Sequence, residues 1–96
     1  MTSAAAAVIL AARRARQVLL PLGDDSPRDA AAGYAVQHEV ARALGAVPPA
    51  GFKIGATTKQ MQAYLGLNGP VAGFVAAEGV QRTPGSFRFA ELIAPG

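Results

Sequence analysis

The chain has no cysteine, no tryptophan, a single histidine and only six acidic residues in 96. Without cysteine there is no disulfide frame, no thiolate nucleophile and no zinc–thiolate site. One histidine, His38, makes no metal cluster by itself. Long apolar runs are missing too. The apolar start, Met1 to Ala12, is too short to span a bilayer. Arg13, Arg14 and Arg16 follow that run, whereas a secretory signal carries its charges in front. A cytoplasmic protein with no membrane partner is the expectation. Large apolar side chains are also scarce. The hydrophobic fraction is 51%, but 22 residues are alanine and only 23 are Val, Ile, Leu or Phe. Alanine buries little area, so the core is poorer than the percentage implies. A chain of this length is one small domain or a piece of a larger one. Such a core would be marginal alone, which favours a partner subunit or further sequence, and a homo-oligomer is expected.

The net charge is +3 and the sequence pI about 10.0, a mild basic bias. The arginines at 13, 14 and 16 form its one cluster, and no aromatic residue lies near them for base stacking. No nucleic-acid partner is expected.

What is present reads as α+β, helices first and short strands after. Ala5, Val8, Ala12, Ala15 and Leu19 recur at helical spacing, which predicts a helix over about 3–20, stopped by Pro21 and Gly23. Ser26 reads as the cap of a second helix over about 27–44, with Pro27 at its first position and Gly45 as its stop. Ala30, Tyr34, Gln37, Ala41 and Leu44 share one face of that helix. After the stiff Val47-Pro48-Pro49-Ala50 linker, 51–56 reads as a strand. A third helix follows over 58–65, capped by Thr57 or Thr58, with Thr57 and Gln60 spaced as a capping box. Asn68-Gly69-Pro70 is a turn, and short strands are expected within 71–94.

Six residues draw the chemical reading. In the strand, Lys53 points to one face and Phe52 and Ile54 to the other. A solvated lysine is the ordinary account; an ammonium that binds a carboxylate or enolate oxygen is the functional one. Thr57 and Thr58 stand before a helix whose free N–H groups attract anions, a role compatible with capping. Gln37 on an apolar face needs hydrogen-bond partners, most simply a neighbouring loop. Glu78 lies in a turn, as a solvated residue or a proton-transfer carboxylate. His38, beside Gln37 on another face, reads as a surface residue.

Gly51-Phe52-Lys53-Ile54-Gly55, with Tyr34-Ala35-Val36-Gln37 upstream and Gly69-Pro70-Val71-Ala72-Gly73 downstream, resembles the N-terminal part of the 2-keto-4-pentenoate hydratase and 2-oxo-3-hexenedioate decarboxylase family. That family belongs to the fumarylacetoacetate hydrolase superfamily. The glycine–lysine motif matches at all five positions, and in the family its lysine faces the active site. The Tyr-Ala-aliphatic-Gln match supports the likeness without assigning a catalytic role. Where relatives often carry Asp followed by Met, this chain has Glu78 followed by Gly79, which keeps a carboxylate on a longer arm.

The resemblance implies a lyase of aromatic-compound breakdown that acts on a short 2-hydroxy-dienoate or 2-oxo-enoate. Water adds across the double bond, or carbon dioxide leaves in the decarboxylase. Lys53 and Glu78 are the implied catalytic residues, with Thr57 and Thr58 at the substrate. The resemblance also implies a divalent metal, Mg²⁺ or Mn²⁺, held by a Glu-x-Glu pair and a further acid. This chain has no Glu-x-Glu; Glu91-Leu92-Ile93-Ala94-Pro95-Gly96 resembles the stretch before it. No metal ligand is expected within the chain, which covers about the first third of such an enzyme and lacks its C-terminal β-rich catalytic domain. The 96 residues alone are expected to be inactive. The rival reading is a non-catalytic oligomerisation or binding module.

Overall fold

A computed structural model describes residues 3–93. In chain order the elements are α1 (Ala4–Ala15), α2 (Ala30–Ala43), β1 (Gly51–Gly55), α3 (Lys59–Leu65) and β2 (Val71–Val75), with single 3₁₀ turns at Gly23–Asp25, Ala77–Gly79 and Phe89–Glu91. Among the described residues, three α-helices and a two-stranded antiparallel sheet make a small α+β fold. Among the described residues, no helix is long and apolar enough to cross a membrane.

α1 ends earlier than its periodicity predicts. Arg16 takes a left-handed conformation at φ 55°, and Gln17 N–H reaches back to the Ala12 carbonyl at 3.0 Å. This closes the last turn with the six-to-one bond of a Schellman cap. Residues 17–22 leave the helix because Pro21 disfavours helical backbone at Leu20 and offers no N–H of its own. Val18 and Leu19 are exposed instead of extending the stripe. The buried face of α1 is Ala5, Ala6 and Leu10, not the Val8–Ala15–Leu19 line.

α2 begins three residues later than expected. Ser26 is extended and caps nothing in α2; Asp29 is the cap, its Oδ1 accepting from Ala32 N–H at 2.8 Å. A carboxylate at that position satisfies an orphan donor and meets the positive helix end. α1 packs on α2 around Ala6, Leu10 and Val40, with Ile9, Val36, Leu44 and Phe74 against them. Ser3 ties the two helices at one end. It caps α1, and its hydroxyl and N–H both donate to the Glu39 carboxylate, at 2.6 and 3.0 Å. Ser3, through its hydroxyl first, holds the Glu39 carboxyl below its ordinary value.

β1 and β2 pair in register Gly51↔Val75, Phe52↔Phe74, Lys53↔Gly73, Ile54↔Ala72 and Gly55↔Val71. The expected run of strands within 71–94 reduces to β2; Phe87 lies in an irregular segment and Phe89 in a 3₁₀ turn. Gly-Pro punctuation and the poor alternation of Arg82, Phe87, Arg88 and Phe89 leave that stretch no period-two face to bury. Position 94, the end of that expected span, lies outside the described residues.

The packing is thin. The chain exposes 7677 Å² at 9.7 kDa, whereas a compact monomer of that mass exposes roughly 5,100 Å². Its radius of gyration is 14.7 Å, against about 12.5 Å for a compact chain of this length.

Candidate functional site

The sheet has two unlike faces. Strand alternation puts Phe52, Ile54, Ala72 and Phe74 on one side and Gly51, Lys53, Gly55, Val71, Gly73 and Val75 on the other. Phe74 packs on the helix core, so the first face is turned to the helices. Arg13 stacks its guanidinium over the Phe74 ring at 5.4 Å, a cation–π contact that joins α1 to the sheet. Lys53 is therefore on the outer face, and it is exposed. Its cross-strand neighbour is Gly73, so no side chain of β2 stands directly opposite it.

α2 fastens the sheet by an edge. Gln37 Nε2 donates to the Ala72 carbonyl at 3.1 Å and its Oε1 accepts from Phe74 N–H at 2.8 Å. Ala72 N–H donates to the Tyr34 hydroxyl at 3.0 Å. A tyrosine and a glutamine one helical turn apart thus stand in for a third strand along the outer edge of β2. Gln37 does make a structural bond, but to a strand rather than the expected loop.

Thr57 and Thr58 follow the Gly55 end of β1. The chain leaves β1 through Ala56 in a left-handed conformation, φ 53°, and Gln62 reaches back from α3 to hold the Ala56 carbonyl at 3.0 Å. Gln62 is buried, the polar residue of α3 that fixes this corner. Thr58 is the α3 cap, its Oγ1 accepting from Met61 N–H at 3.1 Å. The Thr57–Gln60 capping box does not form, because the helix starts one residue later and Thr58 reaches the right donor. α3 has seven residues, so few peptide dipoles sum at its start.

Glu78 lies beyond the other end of the ladder, in the Ala77–Gly79 turn after β2. A Cβ on Gly79 would sit 3.5 Å from Val75 Cγ1, so this turn curls beside Val75, a residue of the Lys53 face. The candidates are therefore strung along one ladder. Lys53 is central, Glu78 is past the Gly51↔Val75 end, and Thr57 and Thr58 are past the Gly55↔Val71 end. Five paired residues span roughly 13 Å at strand rise. Glu78 and the threonines are not brought together.

On the helix-facing side, a cavity of about 270 Å³ is lined mainly by Tyr34, Gln37, His38, Phe52 and Phe74 with the 46–49 linker. His38 is exposed, as expected of a surface residue, and also lines this cavity, whereas Lys53 does not. Sequence reasoning missed this cavity. The shared α2 face of Tyr34, Gln37 and Ala41 was its one visible trace.

No three His, Asp or Glu side chains come together among the described residues. Comparison with protein families, curated proteins and solved structures found no match to this chain.

Proposed function

We propose that this chain is the N-terminal part of a hydratase-type lyase of the fumarylacetoacetate hydrolase superfamily, acting on a 2-hydroxy-dienoate or 2-oxo-enoate. One observation carries the proposal. The three separated segments that make the resemblance meet on one sheet. Tyr34 and Gln37 hold the backbone of Ala72 and Phe74, and Gly73 stands opposite Lys53.

In this reading Lys53 is the binding and charge-stabilising group. Its ammonium is a compact point charge on a flexible stem, suited to a carboxylate or to the oxygen of a developing enolate. Bare Gly73 leaves it room for a ligand. Glu78, in the turn beside Val75, is the proton-transfer carboxylate. Thr58 serves the fold as a cap, and Thr57 is the threonine with a hydroxyl to offer a substrate. The divalent metal that the resemblance implies does not fit the acidic residues present, so no step is assigned to it. Cytoplasmic location and a homo-oligomeric assembly belong to the same proposal.

The test is steady-state kinetics on 2-hydroxypenta-2,4-dienoate and on 2-oxo-3-hexenedioate, in a polypeptide carrying this segment together with the metal-holding part. Lys53→Ala is expected to lose about 2–4 kcal/mol of transition-state stabilisation, about a hundredfold or more in turnover. Lys59→Ala, on the exposed start of α3, is the control and should be nearly silent. Near-normal turnover in Lys53→Ala sinks the assignment, and the preferred substrate separates hydratase from decarboxylase.

The excess exposed surface favours a second reading, a non-catalytic oligomerisation module. It predicts self-association that survives every substitution of Lys53 and no turnover in any context.

A further inference from the structure

The sheet has one closed edge and one open edge. Tyr34 and Gln37 occupy the N–H and C=O of Ala72 and the N–H of Phe74, so these groups point away from β1. Phe52 and Ile54 stand opposite Phe74 and Ala72. In an antiparallel ladder both members of such a pair turn their backbone groups outward. Phe52 and Ile54 therefore present their N–H and C=O along the free edge of β1. Their side chains are 66% and 56% exposed, which is high for large apolar residues in a strand.

β1 is also close to a palindrome. Gly51-Phe52-Lys53-Ile54-Gly55 has the pattern glycine, apolar, lysine, apolar, glycine in both directions. A second β1 added antiparallel and centred on Lys53 opposes Phe52 to Ile54 and Gly51 to Gly55. Each outward N–H of one copy then meets an outward C=O of the other. The apolar pairs cover each other on the helix-facing side. Such an isologous contact is self-complementary, as a two-fold dimer requires.

We propose that the free edge of β1 takes the β1 of a second copy of this chain, merging two small sheets into one across a two-fold axis. Phe52 and Ile54 supply the exposed apolar surface that such a contact covers. A two-stranded sheet alone is marginal, and sheet extension removes that weakness. The same register sets Lys53 opposite Lys53 of the second copy on the outer face. Like charges directly opposed weaken the pairing, so the dimer is tuned by salt.

Sedimentation of the full chain over a wide concentration range, at low and at physiological salt, tests this. A dimer is expected, tighter at the higher salt. Ile54→Pro removes an outward N–H and no bond to β2, so it should give monomer with its helical circular dichroism retained. Ile54→Lys leaves the backbone donor in place and charges the apolar pair, and it should also dissociate the dimer should proline disturb the strand. Lys53→Gln should tighten association roughly two- to fivefold at low salt and remove most of the salt effect. A monomer throughout, which would leave the edge to another segment or partner, overturns the proposal. So does a dimer indifferent to both Ile54 variants, or one weakened by Lys53→Gln.

Discussion

Replacing Gln37 by leucine removes the clasp between the helix pair and the sheet. The side chain makes two hydrogen bonds along the edge of β2, to the Ala72 carbonyl at 3.1 Å and from Phe74 N–H at 2.8 Å. Each such bond is worth about 0.5–1.5 kcal/mol net, and a buried group left without a partner costs about 1–3 kcal/mol. Both contacts are part-buried, so water recovers a share, and a net loss of about 2 kcal/mol is expected. For a domain of this size that lowers Tm by about 8–16 °C. The assay is thermal unfolding followed by circular dichroism, with hydrogen exchange at the Phe74 amide as the local readout. Tyr34→Phe removes one exposed bond and is expected to cost about 0.5 kcal/mol. Gln37→Glu adds a sign. An ionised Glu at this position keeps the acceptor for Phe74 N–H but turns a negative oxygen toward the Ala72 carbonyl, whereas the protonated acid can donate there. Its folded pKa is therefore raised. The stability it contributes is fully present below the unfolded carboxylate pKa and is lost as pH rises through the folded value. A loss below about 0.5 kcal/mol in Gln37→Leu, or unchanged exchange at Phe74, would refute the clasp.

Glu39 runs the opposite way. Its carboxyl is lowered by the Ser3 hydroxyl and then the Ser3 N–H, so the stability it contributes is present above the unfolded carboxylate pKa and lost as pH falls through the folded value. Glu39→Gln should therefore lower Tm at neutral pH and converge with the unsubstituted chain in acid; a constant difference across an acid titration contradicts the Ser3 clamp. Thr58→Ala should cost about 1 kcal/mol through the lost α3 cap. Thr57→Ala should be nearly neutral when both variants are compared by urea titration, and equal losses would mean that the cap has been misplaced.

The helices were legible as elements and misread at their ends. Alanine-rich periodicity announces α1, yet its stop is decided by Arg16 entering the left-handed region, a conformation that no local preference of arginine foretells. Ser26 and Asp29 are both good caps, and the choice between them depends on where α2 must begin to lay Val36 and Val40 on α1. Lys53 and its strand were legible because glycines bracket a short apolar–lysine–apolar run. The edge role of Tyr34 and Gln37 was not, since it joins residues 35 to 38 positions apart. Helix spacing shows that the two side chains share a face but says nothing of what that face meets. The same holds for Lys53 and Gly73, whose pairing follows from a register set across α3. Local pattern thus names the candidate residues, while long-range pairing decides which are neighbours. It leaves Lys53 on an open face, Glu78 and Thr57 at opposite ends of the ladder, and the apolar cavity on the other side of the sheet. A ligand held by Lys53 would therefore lie along the outer face of the sheet, and the cavity under Phe52 would take no part in binding it.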